Sequence, residues 1–212
     1  AVETMSSAER RRLFDTIREH NLSTDAISEL VVNTVRNVLV EPKTLIQREG
    51  HIVVFLPGQE ECDEAAEKLE LKLGVDMCEN KVWVLRLYGA MPLDTQILAT
   101  GAECPKGRRK VIFATNVAET SLTIDGVRVI VDTGLEKIMR YDHADGIERL
   151  VVVPCSQSSC DQRAGRAGRV SRGECIRIFT PRSYALRDAH RTPAILLEHL
   201  GTMLLKLYAM GI

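Results

Sequence analysis

Three polar side chains in one short, arginine-rich segment have the spacing and the chemistry to bind an anion. The segment Gln162–Arg169 reads QRAGRAGR, and a helical conformation would project Gln162, Arg166 and Arg169 from a single face. A guanidinium group stays charged at any working pH and donates two parallel hydrogen bonds to a phosphate. Two such groups on one face repel each other unless an anion lies between them. The segment therefore predicts a phosphate site, with a solvated basic helix end as the alternative.

Two glycines, Gly165 and Gly168, interrupt this segment. In a helix interior each glycine costs about 1 kcal/mol relative to alanine. Small residues at these positions would let the helix approach another backbone or a ligand closely. We therefore expect the arginine-bearing face to meet a partner across a narrow gap.

The composition is that of a globular protein with an aliphatic core. Of the 212 residues, 45% are hydrophobic, 27% are charged and 4% are aromatic. The formal net charge of −1 excludes a protein that coats polyanions by bulk charge, so any nucleic-acid contact must be local. The six cysteines form no C-x-x-C pair, which argues against a metal or redox site and favours an intracellular compartment. No apolar run reaches the length that spans a membrane.

Strand and helix patterns alternate along most of the chain. Apolar, largely β-branched runs predict strands at 52–56, 82–87, 110–114, 127–131 and 175–179. Helical spacing occurs at 27–39, 60–73, 92–99 and 193–210, with a short helical turn at 117–121. This alternation predicts an α/β fold in which helices cover both faces of a parallel sheet. Ligands bind such a sheet at the carboxyl ends of its strands.

Four further segments carry a family resemblance. They are Phe55–Glu61 (FLPGQEE), Leu87–Pro92 (LYGAMP), Ala114–Gly126 (ATNVAETSLTIDG) and Val131–Asp142 (VDTGLEKIMRYD). Together with QRAGRAGR, they have the order and spacing of the second RecA-like domain of DEAH/RHA-family ATP-dependent RNA helicases, which the chain resembles over residues 50–182. The resemblance implies a RecA-like sheet with an appended β-hairpin at 137–153, which would lie against a translocating strand. A plain surface hairpin is the alternative.

The resemblance also implies a nucleotide site for ATP with Mg²⁺. Arg166 and Arg169 match the arginines that reach the phosphates, where such a residue is worth on the order of 10³–10⁵ in rate. Gln162 matches the residue that orients the attacking water or the γ-phosphate.

The segment ATNVAETSLTIDG is similar to the segment called motif V in this helicase family, and it would contribute further contacts to the nucleotide. Ser121, Thr123 and Asp125 match positions that face the nucleotide, and local helix capping is the alternative for the two hydroxyls. Many family members have a phenylalanine that stacks on the nucleotide base, and the matching position in this chain lies near Thr100. Because threonine cannot stack as a ring does, the resemblance implies weaker binding of the base.

Three residues match contacts to a nucleic-acid backbone. Thr115 and Asn116 have short polar side chains that suit phosphate and ribose oxygens, and such contacts position a strand without reading its sequence. Gly58, in FLPGQEE, is also expected to contact the nucleic acid. On a helix, Arg163 would point away from the predicted anion-binding face. It is therefore as well suited to a structural salt bridge as to a role in the site. Glu119 is predicted to be structural rather than catalytic.

The chain contains neither a G-x-x-x-x-G-K-[ST] phosphate loop nor a D-E-x-H segment. In the family both belong to a first RecA-like lobe, which is expected upstream together with the magnesium ligands. The resemblance divides the chain into a helical extension or linker (1–46), the second RecA-like domain (47–182) and a helical segment leading to a winged-helix region (183–212).

The expected partners are single-stranded RNA, the first lobe of the same polypeptide and an activating protein cofactor, in the nucleus or the cytoplasm. The fragment by itself is expected to be inactive. A non-catalytic, helicase-like scaffold that serves as a protein-interaction module is the alternative.

Overall fold

The fold is organised around a sheet whose strands carry the apolar runs of the sequence. A computed structural model describes residues 24–105, 107–120, 123–142, 145–169, 172–197 and 201–211. Ser121, one of the predicted nucleotide contacts, lies outside these ranges. Within them, no helix has the length and the apolar character needed to cross a membrane.

The sheet is parallel, and its three central strands are buried on both faces. It contains the strands β1 (His51–Phe55), β2 (Val82–Leu87), β3 (Arg109–Ala114), β4 (Val127–Asp132) and β7 (Glu174–Arg177). Their order is β2-β3-β1-β4-β7. Val54 of β1 lies opposite Phe113 of β3 and Val131 of β4, and none of these three side chains has exposed surface. The predicted α/β fold with a parallel sheet is confirmed, although β7 ends earlier than expected.

Helices cover the two faces of this sheet. They are α1 (Thr24–Val40), α2 (Leu45–Arg48), α3 (Gln59–Asn80), α4 (Leu93–Thr100), α5 (Val117–Thr120), α6 (Gln157–Gly165), α7 (Pro181–Ala185) and α8 (Gly201–Ala209). On one face, Val35 of α1 and Leu69 of α3 pack in the same cluster as Val54. On the other, Ala118 of α5 and Ala167 pack in the cluster of Phe55.

Helix α1 belongs to the core of this unit. Val31, Val32 and Val35 have no exposed surface, and Lys68 of α3 forms an ion pair with Asp25 at 2.6 Å. The helix lies within the segment predicted as an extension or linker, yet it packs as part of the sheet's covering layer. The division of the chain into three parts remains a prediction.

Two helix ends can be compared with the prediction. The helix predicted at 60–73 does end at Gly74, whose φ of 76° and ψ of 167° are not helical and are adopted by glycine without strain, and a second helical segment follows this kink to complete α3. The predicted helix at 193–210 is wrong in its first part, because Ala194–Leu196 form a 3₁₀ turn and α8 begins at Gly201. The Leu196 amide donates to the Pro193 carbonyl at 3.0 Å, which is the spacing of a 3₁₀ turn.

An antiparallel hairpin projects from the sheet, as predicted. It consists of β5 (Leu135–Asp142) and β6 (Ile147–Pro154). At its base the Lys137 amide donates to the Pro57 carbonyl at 3.2 Å, and Lys137 Nζ lies 2.9 Å from the Glu61 carboxylate. The hairpin is thus attached to the turn that follows β1.

Candidate functional site

The arginine-rich segment changes conformation in its middle. Helix α6 is capped by Ser156, whose hydroxyl accepts a hydrogen bond from the Ser159 amide at 3.2 Å. The helix ends at Gly165, and Arg166–Gly168 form a 3₁₀ turn. The prediction of one continuous helix is therefore wrong, because the tighter turn ends the helical spacing at the second half of the segment.

The predicted anion-binding side chains nevertheless come together. Gln162, Arg166 and Arg169 line one open cleft of about 340 Å³, together with Glu119 and Gly165. The cleft therefore brings an amide and two guanidinium groups to one surface.

The two arginines differ in their surroundings. Arg169 is exposed, and its Nη1 donates to Thr123 Oγ1 at 2.9 Å. Arg166 is half-buried and donates to the backbone carbonyl of Glu119. Burial, and then the positive charge of Arg169, lower the pKa of the Arg166 guanidinium. An anion in the cleft would relieve this repulsion.

The segment crosses one face of the sheet instead of lying along its carboxyl edge. At one end Arg163 reaches Asp132, the last residue of β4. At the other end Arg166 and Arg169 adjoin Val127, the first residue of β4, across a small apolar cavity. The segment therefore runs from the carboxyl end of β4 along one face of the sheet, and binding of a ligand at the carboxyl ends of the strands stays a prediction.

Arg163 fastens the segment to the sheet. Its guanidinium has no exposed surface and donates to Asp132 Oδ1 at 2.9 Å and to Glu119 Oε2 at 3.1 Å. It also lies 5.0 Å from the centroid of the Phe55 ring. The structure thus selects the salt-bridge alternative for Arg163, and it gives Glu119 the structural role that was predicted.

The two glycines of the segment make no close contact with other described residues of this chain, and a close approach to a ligand or a partner stays a prediction. Within the part of the chain that the structure describes, a Cβ atom added at Gly165 or at Gly168 would meet nothing within 4 Å. The close approach falls instead at Gly173, where an added Cβ would lie 2.0 Å from the Ala167 carbonyl oxygen. Sequence reasoning missed Gly173, although a glycine next to a strand is a signal of close backbone approach.

Thr123 and Asp125 lie differently with respect to the cleft. The Thr123 hydroxyl accepts from Arg169, so its partner among the described residues is a residue of the cleft. Asp125 is exposed, and its amide donates to the Thr100 carbonyl at 3.4 Å. Their contacts to a nucleotide remain predictions.

The three predicted nucleic-acid contacts follow neighbouring strands but differ in exposure. Thr115 and Asn116 directly follow β3, and Asn116 is exposed while Thr115 is half-buried. Gly58 follows β1 and is buried, and an added Cβ there would lie 2.7 Å from both Glu61 Oε2 and Lys137 Nζ. Among the residues described, no group of acidic, histidine and cysteine side chains could hold a metal ion.

Comparison with known proteins shows similarity to helicases. A family model described as the helicase conserved C-terminal domain matches residues 28–171. Over 168 residues the chain is 41% identical to a probable ATP-dependent RNA helicase DHX35 homolog of Caenorhabditis elegans, covering 78% of this chain and 22% of that protein. The chain therefore spans less than a quarter of that relative.

Two solved structures from Escherichia coli are similar as well. Both are of HrpB, described in one case as a DExH-box NTPase and in the other as a DEAH/RHA helicase. Their TM-scores are 0.74 and 0.76 at 35% and 36% identity. Each match covers 91% of this chain, but only 22% and 23% of the HrpB chains.

Proposed function

The chain belongs to the family of helicase conserved C-terminal domains, as a second RecA-like lobe of the DEAH/RHA type, and from this membership we propose that the full-length protein is an ATP-dependent RNA helicase. The observation that carries the proposal is the shared cleft of Gln162, Arg166 and Arg169. These donors suit the terminal phosphate of a nucleotide. A first lobe of the same polypeptide would supply the rest of the site, including the magnesium ligands.

The residues of the cleft divide the chemistry between them. Arg166 and Arg169 neutralise negative charge that spreads over the transferring phosphoryl group, which is the largest contribution a protein makes to phosphoryl transfer. Gln162 orients the attacking water. Because these groups form one wall of a site, we propose that the isolated chain binds ATP weakly and hydrolyses none.

One short segment supports coupling between the nucleotide and the RNA. Thr115 and Asn116 stand at its start, after β3, and Glu119 and Thr123 further along accept hydrogen bonds from Arg166 and Arg169. An RNA phosphate bound at the start of the segment and a nucleotide bound at its end would both affect the position of α5, which lies between them. We propose that this connection links hydrolysis to movement along single-stranded RNA.

ATP hydrolysis by the full-length protein, measured with and without single-stranded RNA, tests the proposal. We expect slow hydrolysis without RNA and a marked increase when RNA is added. A protein that binds RNA or other proteins but hydrolyses no ATP under either condition would instead be a helicase-like scaffold.

A further inference from the structure

A single arginine outside the helicase motifs joins three elements around the arginine cleft. Arg191, between α7 and α8, places Nη2 2.7 Å from Glu136 Oε2 of β5. The same nitrogen lies 3.3 Å and 3.4 Å from the two carboxylate oxygens of Glu119 on α5. It also lies 3.2 Å from the Ser159 hydroxyl of α6. The hairpin, α5 and the arginine-bearing helix therefore meet at one guanidinium group.

The two carboxylates that Arg191 bridges are almost fully buried. Glu119 is 3% exposed and Glu136 is 4% exposed. Two buried negative charges side by side are strongly unfavourable unless cations neutralise them. Burial raises the pKa of Glu136, while Arg191 and then Arg163 act in the opposite direction and Glu119 adds to the rise. In the described ranges, Arg191 is the only cation that forms a salt bridge with Glu136.

The position of α5 depends on these side chains. The helix spans only the four residues Val117–Thr120, and so short a helix has little stability of its own. Its residue Glu119 is held at the carboxylate by Arg163 and Arg191. The backbone carbonyl of the same residue accepts the hydrogen bond from Arg166. Whatever fixes the Glu119 side chain therefore also fixes the carbonyl that orients Arg166.

We propose that Arg191 is a positioning residue: by bridging Glu119 to Glu136 it holds α5 against the base of the hairpin and thereby orients Arg166 in the cleft. This role rests on the proposed function where Arg166 acts on a nucleotide. Through Arg191, the hairpin and the cleft are connected by one network of charged side chains. A movement of β5 would reach Arg166 through Glu136, Arg191 and Glu119.

Kinetics of the full-length protein test this role through a second-site variant. Arg191→Met removes the guanidinium that bridges the two carboxylates, and Arg166 should then be oriented less well. We therefore expect the RNA-stimulated kcat to fall about ten-fold, with the KM for ATP changed less than about two-fold. Glu136→Gln removes the other end of the bridge, so it should slow hydrolysis by a similar factor, and adding it to Arg191→Met should cause little further loss. Arg182→Ala, an exposed arginine on α7, is the control and should keep the wild-type rate.

A second measurement is independent of catalysis. The Ala118 and Glu119 amides donate to the Thr115 and Asn116 carbonyls at 3.2 Å and 2.9 Å. In the full-length protein without nucleotide, Arg191→Met should therefore speed hydrogen exchange at these amides about ten-fold. Exchange at the wild-type rate would refute the positioning role, and so would a double variant in which the losses of the two single variants multiply. If the wild-type protein hydrolyses no ATP with RNA, the proposed function fails, while the exchange rates still decide the role of Arg191.

Discussion

Arg169 donates a hydrogen bond from Nη1 to the hydroxyl of Thr123, at 2.9 Å and across 46 positions of the chain. The bond joins the two segments that carry the strongest helicase resemblance, ATNVAETSLTIDG and QRAGRAGR. It leaves the guanidinium exposed at the cleft, and within the described ranges no carboxylate forms an ion pair with it. Arg169 is thus oriented by a neutral partner and keeps its charge available for an anion.

Replacing Arg169 tests its proposed role at the phosphate. Arg169→Ala in the full-length protein should lower RNA-stimulated ATP hydrolysis by about a thousandfold, because the charge on the departing phosphoryl group loses a cation. The fold should persist, since the side chain is exposed. Arg36→Ala on α1, which removes a distant exposed arginine, is the matched control. Turnover of Arg169→Ala near the wild-type rate would remove Arg169 from the mechanism.

The buried arginine six positions earlier should behave in the opposite way. Arg163→Met leaves Asp132 and Glu119 without their buried partner, and breaking such a pair costs about 3–5 kcal/mol. The same substitution at Arg169 should cost less than about 0.5 kcal/mol. Thermal unfolding of the two variants gives the comparison. Equal unfolding temperatures would mean that Arg163 does not anchor the segment.

The glycines give a prediction that separates packing from function. Gly173→Ala places a Cβ against the Ala167 carbonyl, so we expect a loss of about 1–3 kcal/mol in the free energy of unfolding. Gly168→Ala has open space around it and should leave that free energy unchanged or slightly higher. If the opposite lobe closes on this surface, Gly168→Ala should still slow hydrolysis in the full-length protein. Full activity of a stable Gly168→Ala variant would contradict the narrow gap inferred from the sequence.

Features that depend on neighbouring residues in the chain could be predicted from the sequence, whereas features that depend on the folded arrangement could not. The run at 52–56 could be assigned because a strand buried on both faces must be apolar throughout. The end of α6 at Gly165 could not, because the spacing of Gln162, Arg166 and Arg169 fits a longer helix equally well. The contacts of Arg191 left no signal either, since they depend on three elements that meet only in the folded chain.

Stability should depend on pH through Glu136. Burial raises the pKa of this carboxyl above its ordinary value of 4.5, despite the opposing charges of Arg191 and Arg163. A raised pKa means that the folded state favours the protonated acid. The stability that this group contributes is therefore complete below the ordinary value and is lost as the pH rises through the raised one.

Glu136→Gln removes that dependence. The variant should unfold at a higher temperature than the wild type at pH 7, and the difference should shrink as the pH falls towards 4.5. Thermal unfolding measured across this pH range checks the sign. A variant that is less stable than the wild type at pH 7 would show that the ion pair with Arg191 outweighs the burial of Glu136.

The predicted RNA contacts can be separated from base recognition by changing both protein and RNA. Thr115→Ala and Asn116→Ala should weaken binding of the full-length protein to single-stranded RNAs of different sequence by the same factor, because backbone contacts carry no sequence information. Asn33→Ala, at an exposed asparagine on α1, should bind as the wild type does. The loss should be larger for Asn116 than for Thr115, since Asn116 is exposed and Thr115 is half-buried. A loss confined to certain sequences would assign these side chains to the bases, and the proposed link from the RNA backbone through α5 to Arg166 would then lose its first step.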